Sequence, residues 1–292
     1  MEKENENTNG LPSSAQMRKA LEKSGFLFEH KIANFMQNQG FHVDSSWAFK
    51  DPDQEKSREI DVRAIRQEKS NDANKIKLFC EFLIECKNSD SPLVFLQAEK
   101  NERELKHSTP REYVFPIKKY RKNISSNSFM EVDAFNRFGL ESSHYYYSTP
   151  IKATQFAKII RKGSEWYANH DGVYDSLILP QVKAIEQRRK EVDSTFYKEQ
   201  WTNIWLFFNV VVLRDHLFIM DANDDDAVPV ETGRVSFVRH IKTEGLDGHY
   251  LIDFVTEKYL SNYIKEVNSF ANEVGELLAD ADTRLFDSHF RD

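Results

Sequence analysis

Two short segments carry acidic and basic residues at a spacing that could support chemistry. Residues 58–64 read REIDVRA and residues 80–88 read CEFLIECKN. Both alternate apolar and polar side chains, as a β-strand with two differently lined faces does. If the two strands are neighbours, Asp61, Glu85 and Lys87 converge on one patch. The sequence therefore predicts two carboxylates and an ammonium group in one place.

The same alternation assigns the apolar side chains of these segments to faces. Ile60 and Val62 share one face of the first segment, opposite Asp61. Ile84 and Cys86 share one face of the second segment. We expect each apolar pair to point away from the charged side chains of its strand.

Two carboxylates and an ammonium group suit hydrolysis of a phosphodiester. This reaction needs a hard cation that neutralises charge on the phosphate and a deprotonated water in line with the leaving group. Mg²⁺ takes oxygen ligands and keeps several waters, so one or two carboxylates and a substrate phosphate suffice. We expect Asp61, Glu85 and the main-chain carbonyl of Cys86 to hold Mg²⁺ or Mn²⁺. Lys87 would hold the attacking water or help to deprotonate it. The alternative is a pair of half-exposed strands with cross-strand ion pairs.

A helix and further strands must position these groups. Apolar residues at helical spacing predict a helix over residues 14–39, with a break available at residues 24–25. Glu29 lies at the flank of its apolar stripe, a position that is by itself typical of a solvated residue. Residues 41–49, 59–66 and 75–87 then read as consecutive antiparallel strands joined by polar turns.

Together these features resemble the PD-(D/E)xK nuclease superfamily. The resemblance rests on the helical Glu29, on residues 59–61 (EID) and on residues 83–87 (LIECK), and it covers about residues 24–97. It implies an α/β protein with a restriction-endonuclease-like core, a mixed central sheet flanked by helices. It also implies metal binding by Asp61 and Glu85, and catalytic roles for these two residues, Lys87 and Glu29.

Two features depart from the family pattern. Asp61 lacks the proline after which the family is named, while the literal pair Pro52-Asp53 lies in a polar turn, where a rigid metal ligand is less expected. No helix-turn-helix, zinc finger or other separate module that reads DNA can be found.

A basic stretch follows the proposed core. We interpret residues 98–170 as an insertion, in which residues 99–122 carry eight basic residues against four acidic ones. Aromatic residues follow, and this combination fits phosphate contact and base stacking. The alternative is a surface insertion with a small core of its own. The proposed nucleic-acid contacts are Lys100, Arg103, Lys106, Arg111, Lys118, Lys119, Arg121 and Lys122.

Residues 172–292 would complete the domain with additional strands and a closing helix. A helix over residues 172–192 should kink at Pro180 and end in a solvated charged run, residues 186–191. Residues 201–213 and 217–221 read as a β-hairpin. Strands at residues 236–241 and 250–255 precede a helix over residues 256–278, whose apolar stripe predicts core packing.

Composition limits the class of protein. The 292 residues suit one domain over residues 14–292, after a polar tail, residues 1–13, that we expect to be disordered. No apolar run reaches the length of a membrane helix, and the start lacks a secretory pattern. Two cysteines six residues apart on one strand cannot pair. These features favour a cytoplasmic protein without a membrane partner. The net charge of −7 argues against a uniformly basic surface, although it permits a local basic channel.

We therefore expect a Mg²⁺- or Mn²⁺-dependent nuclease that acts on DNA rather than RNA. A role in prokaryotic defence follows only from the family analogy. A homodimer would suit duplex cleavage, because each such site cuts one strand. The alternative is a nuclease fold with weak or lost activity, which binds nucleic acid or protein as a subunit of a larger complex.

Overall fold

The three-dimensional structure is a computed structural model. It describes residues 10–51, 56–73, 75–106, 110–170, 172–195, 201–243, 245–280 and 289–290. Residues 1–9 of the predicted disordered tail therefore lie outside the described residues. The pair Pro52-Asp53 also lies outside them. The first helix begins at Ser14, as the sequence predicts.

Runs of consecutive strands, separated by helices, make up most of the chain. The α-helices within the described ranges are α1 (Ser14–Ser24), α2 (Phe26–Asn38), α3 (Glu102–Lys106), α4 (Ala134–Arg137), α5 (Val173–Leu177), α6 (Leu179–Thr195) and α7 (Leu260–Asp280). The strands of the first half are β1 (His42–Lys50), β2 (Ser57–Asn71), β3 (Ile76–Lys87), β4 (Leu93–Glu99), β5 (Tyr113–Val114), β6 (Lys119–Ser125) and β7 (Ser128–Asp133). The later strands are β8 (Ile151–Lys162), β9 (Glu165–Asn169), β10 (Thr202–Leu213), β11 (Leu217–Asp221), β12 (Val230–Glu231), β13 (Arg234–Lys242), β14 (Asp247–Thr256) and β15 (His289–Phe290).

A large mixed sheet forms the centre of this α/β fold. Among the described residues it has 12 strands, with the path β1-β2-β3-β10-β14-β13-β8-β4-β11-β12, while β5 pairs with β10 and β9 with β8. The pairs β1–β2 and β2–β3 are antiparallel, as predicted, and β10 lies parallel to both β3 and β14. The strands β15, β6 and β7 form a small second sheet.

Helices cover both faces of the central strands. Phe82 and Ile84 of β3 pack with α2 and α7, whereas Leu83 of the same strand packs on the other face with α6. On β10, Phe207 and Phe208 divide between the two faces in the same way. Strands that are apolar on both faces belong in the interior of a sheet. The predicted apolar stripe of α7 is core packing, as expected.

The predicted hairpin between β10 and β11 is wrong. The first strand, β10, pairs along its whole length with β3, from Thr202 opposite Ile76 to Leu213 opposite Lys87, and on its other edge with β14. No edge therefore remains for β11, which pairs with β4 and β12. A short turn predicted a hairpin, but burial of both faces of β10 decided its neighbours.

The charged run at residues 186–191 is also not a solvated face. Glu186 and Arg188 are buried against the sheet. Arg188 donates from Nε and Nη2 to the two carboxylate oxygens of Glu81, at 2.7 and 2.8 Å. Glu81 is fully buried on β3 and also accepts a hydrogen bond from Arg63 at 2.7 Å. The run supplies counter-charges for an acidic residue of the core strand.

Smaller differences concern turns and the basic stretch. The β2–β3 hairpin continues to Asn71 through a bulge after Gln67, so its loop is shorter than predicted. The helix predicted over residues 172–192 is two helices, α5 and α6, that separate just before Pro180. Within residues 98–170, strands β5 and β8 join the central sheet, while β6 and β7 form the small sheet. Cys80 and Cys86 are unpaired, as expected, and both are buried.

Within the described ranges, no helix combines the length and the apolar content needed to cross a membrane.

Substitution of Arg188 by alanine should strongly destabilise the protein, because it leaves the buried Glu81 carboxylate with Arg63 as its remaining guanidinium partner. Loss of one partner of a buried ion pair costs about 3–5 kcal/mol of the free energy of unfolding. Urea denaturation measures this loss. Lys190→Ala, an exposed position on the same helix, should change stability by less than about 0.5 kcal/mol. Equal, small effects of both substitutions would contradict a structural role for the pair.

Candidate functional site

The site lies where β2 and β3 separate. The ladder between these strands ends at Val62 opposite Ile84, whereas the ladder between β3 and β10 continues to Lys87. The last residues of β3 are thus paired on the β10 side, and the Cys86 N–H is available on the other side. It donates to Oδ2 of Asp61 at 2.7 Å. A carboxylate on β2 therefore replaces the next bond of the ladder.

The side-chain alternation of β1 and β2 reverses at this point, against the sequence-based expectation. Val62 packs in the core under α2, but Ile60 packs in the core on the α6 side of the sheet. The partner strand behaves likewise, with Val43 in the first core and Trp47 in the second. Between them, Ser46 adopts a left-handed backbone conformation with φ of 51°. Strand register places Ser46 across from Asp61, so Asp61 sits at the reversal rather than on a regular face.

Glu85 and Lys87 lie together at the end of β3. The Lys87 Nζ atom donates to Oε1 of Glu85 at 2.5 Å. Glu85 is buried and Lys87 half-buried. The thiol of Cys86, between them, faces the first core with Ile84, so the expectation for these two apolar side chains is confirmed. The carboxylate and the ammonium group thus share one partly open position.

Glu29 approaches the same position from α2. The turn between α1 and α2 is made by Gly25, whose φ of 93° favours glycine and whose carbonyl accepts the N–H of Glu29 at 3.0 Å. A Cβ atom at Gly25 would lie 3.3 Å from Oε1 of Glu29. Burial and the negative charge of Asp61 raise the pKa of Glu29. The structure therefore brings Glu29 into the electrostatic field of the other site residues.

The carboxylates of the site repel one another and are short of positive charge. Burial, and then the charge of Asp61, raises the pKa of Glu85 to about 7, although Lys87 opposes the shift. Burial also raises the pKa of Asp61, against the hydrogen bond from Cys86 and the charge of Lys87. Three acidic side chains thus surround one ammonium group. A bound cation would relieve this repulsion.

The two carboxylates of the site, Asp61 and Glu85, are ligands of the kind that Mg²⁺ uses. Within the described part of the chain, no group of three or more His, Cys, Asp or Glu side chains is arranged to hold a metal ion. Asp61 and Glu85 therefore offer a set of two carboxylates, with Glu29 as an electrostatic neighbour. Mg²⁺ is commonly bound by one or two carboxylates together with water and substrate phosphate. Asp61 and Glu85 are oxygen donors of the type that this cation accepts.

Residues beyond the predicted set hold the end of β3 in place. The Lys87 carbonyl accepts the N–H of Arg214 at 3.2 Å. The Asn88 side chain donates to the carbonyl of Glu22 on α1 at 2.7 Å and accepts from Arg214 at 2.9 Å. Asn88 could have been identified from the sequence, because it directly follows the predicted Lys87. No comparable signal marks Arg214, because its position depends on the parallel pairing of β3 and β10.

A cleft opens beside Lys87. It has a volume of about 270 Å³, with Leu93, Leu177 and Leu213 among its apolar walls. Its charged lining residues are Lys87, Lys158 and Asp215, and Asp215 pairs with Lys258. Lys158 is half-buried and forms no ion pair with the described residues. The cleft therefore combines an apolar surface with two ammonium groups next to the carboxylates.

The eight basic residues predicted to bind nucleic acid divide into groups. Lys100 is buried and donates to the Tyr146 carbonyl at 2.6 Å, and Arg111 donates to Glu186 and to the Asp247 carbonyl. The side chain of Lys106 lies outside the described residues. The other five lie at the surface, exposed or half-buried: Arg103, Lys118, Lys119, Arg121 and Lys122.

Two carboxylates, an ammonium group and a cleft thus lie together near the start of β2 and the end of β3. Pro52-Asp53, the alternative metal site, is outside the described residues, while the neighbouring Asp51 is buried and paired with Arg58 and Lys183. No family model, curated protein or solved structure matches the chain. The function must therefore follow from these contacts.

Replacement of Glu85 by glutamine should stabilise the metal-free protein at high pH. The folded pKa of about 7 lies above the ordinary value of 4.5, so the wild-type protein loses stability as pH rises through this window. At about pH 8 the variant should gain on the order of 1–3 kcal/mol over wild type, and the gain should vanish below about pH 4.5. Urea denaturation in EDTA over a pH series measures it.

Glu273→Gln, at an exposed position on α7, is the matched control and should show no such pH-dependent gain. A Glu85→Gln protein that is less stable than wild type at every pH would contradict the crowding of negative charge at the site.

Proposed function

We propose that the protein is a metal-dependent nuclease that hydrolyses phosphodiester bonds of DNA. The observation that carries the proposal is the gathering of Glu29, Asp61 and Glu85 near Lys87, where burial raises the pKa values of all three carboxyl groups and the charge of Asp61 adds to the shifts of Glu29 and Glu85. Such crowding is costly for a purely structural set of strand residues and is relieved by a dication. Perturbed carboxylates beside a cleft are typical of a functional site.

The proposal includes a restriction-endonuclease-like arrangement, in agreement with the resemblance to the PD-(D/E)xK superfamily. Its support is the order of the elements, in which α2 is followed by the antiparallel strands β1, β2 and β3. The four residues of the motif lie on three of these elements. Preference for DNA over RNA, and a role in prokaryotic defence, belong to the proposal through this resemblance alone.

Asp61 and Glu85 would hold the cation, with the Cys86 carbonyl as a further oxygen ligand. Asp61 is oriented for this task because the Cys86 N–H fixes one of its oxygens, and the other oxygen keeps its lone pairs. When bound, Mg²⁺ would neutralise charge on the phosphate and lower the pKa of a coordinated water. Glu29 adds negative charge that favours retention of the cation.

Lys87 would act on the phosphate or on the attacking water. Its ammonium group has three N–H donors, of which Glu85 uses one. The remaining donors can orient a phosphate oxygen or a water beside the cleft. Lys158 extends the positive charge along the same cleft. We therefore assign the reacting phosphodiester to the region between the carboxylates and this cleft.

Lys87→Ala should lower the rate of DNA cleavage by about 10²–10⁴-fold, the range expected for loss of a group that assists proton transfer. Metal binding should persist in this variant, because both carboxylates remain. Glu85→Ala should abolish cleavage together with the stabilisation of the protein by Mg²⁺. The measurements are cleavage of plasmid, linear duplex, single-stranded DNA and RNA with Mg²⁺, Mn²⁺ or EDTA, and thermal unfolding with and without Mg²⁺.

Lys162→Ala, at an exposed position on β8, should cleave like wild type. Cleavage that survives EDTA and both site substitutions would overturn the mechanism. Binding of nucleic acid without cleavage under every condition would instead identify the chain as a binding module with a nuclease-like site.

A further inference from the structure

A second surface, rich in basic rather than acidic side chains, lies away from the carboxylates. One part of it is a cleft of about 310 Å³ between β5, the start of β6 and the start of β14. Four basic side chains line it, Arg111, Lys118, Lys119 and Arg189, against one acidic residue, Asp133. The Nε atom of Arg189 is buried and has no hydrogen-bond partner among the described residues. Glu186 pairs with both Arg111 and Arg189, and Lys119 is exposed, so this part keeps an excess of positive charge.

The other part is a larger cleft of about 690 Å³ along β8 and β13. Its basic side chains are Lys100, Arg103, Lys152 and Arg239, and its one acidic residue is Glu104. Lys152 neutralises Glu104 through hydrogen bonds of 2.6 and 2.7 Å. Arg103 and Arg239 are exposed and form no ion pair with the described residues. This part too has an excess of positive charge.

The two clefts meet at His249, which lies in the wall of both. Its imidazole ring stacks on that of His240, with ring centres 4.6 Å apart. Next to it, Arg111 packs so closely on Gly248 that a Cβ atom there would lie 2.4 Å from the Arg111 Cδ atom. A side chain at position 248 would therefore displace Arg111 where the two parts meet. We call the combined surface the basic groove.

The basic groove lies far from the carboxylates along the sheet. Cys86 pairs with Val212, and Val212 pairs with Val255 near the end of β14. His249 lies six residues earlier on that strand, a separation of about 20 Å at roughly 3.3 Å per residue.

We infer that the basic groove binds the phosphodiester backbone of nucleic acid at a position remote from the carboxylates. The chain has a net charge of −7, so a surface with this local excess of lysine and arginine attracts a polyanion selectively. Charges spread over two connected clefts suit an extended polymer better than a single phosphate group. The inference deepens the proposed function by adding a remote contact for the same substrate class, and it concerns binding alone.

Binding of fluorescently labelled DNA to metal-free protein tests the basic groove without cleavage. Fluorescence anisotropy in EDTA over a series of salt concentrations gives the affinity and its salt dependence, for single-stranded DNA and for the same sequence as a duplex. The variants Arg103→Ala, Lys119→Ala and Arg239→Ala should each bind more weakly. Each should lower the slope of log affinity against log salt by about 0.9 for duplex or about 0.7 for single strands.

Lys265→Ala, exposed on α7 outside both clefts, should bind like wild type. Groove variants that keep the wild-type affinity and salt slope would overturn the inference, whether or not the protein cleaves DNA. Competition by polyglutamate as strong as by DNA at equal charge would overturn the assignment to nucleic acid. Loss of binding in the groove variants, with no cleavage by wild type, would uphold the groove and defeat the nuclease proposal.

Discussion

The hydrogen bond from the Cys86 N–H to the Asp61 carboxylate is the contact on which the arrangement depends. It occurs because the β2–β3 ladder stops at Ile84 while the β3–β10 ladder continues to Lys87. An N–H that would otherwise be unsatisfied thus fixes an acidic side chain beside Glu85. The cost is electrostatic, since partly buried carboxylates face one another with one ammonium group among them. The proposed binding of a metal ion follows from this excess of negative charge.

The strands that carry the site are held by the rest of the fold. β3 and β10 pair over twelve consecutive positions and are packed on both faces, so the end of β3 is a rigid support for Glu85 and Lys87. The buried Glu81, neutralised by Arg63 and Arg188, joins β3 to β2 and to α6. Balanced charge in the centre of the sheet contrasts with unbalanced charge at its end. Glu81 therefore belongs to a structural ion pair, whereas the carboxylates of the candidate site lack enough basic partners.

The sequence predicted the local elements that carry the candidate site. Alternation and helical spacing located α2, β1, β2 and β3, and the spacing of Glu85 and Lys87 was enough to expect their contact. The sequence did not predict the reversal of side-chain alternation at Ser46, because a positive φ at a non-glycine residue leaves no pattern in the sequence. It also did not predict that β10 lies parallel to β3, because the pairing partners of a strand depend on tertiary packing. The basic groove was only partly predictable, since Arg189 and Arg239 come from distant segments.

The most direct test of the central claim is anomalous diffraction from crystals grown or soaked with Mn²⁺. The account predicts a manganese peak bound by carboxylate oxygens of Asp61 and Glu85, next to Lys87, and its loss in crystals of Asp61→Asn. Such a peak would tie the crowded carboxylates to a cation without any assumption about substrate. Saturating Mn²⁺ that leaves this position empty in the wild-type protein, or that occupies only other surfaces, would contradict it.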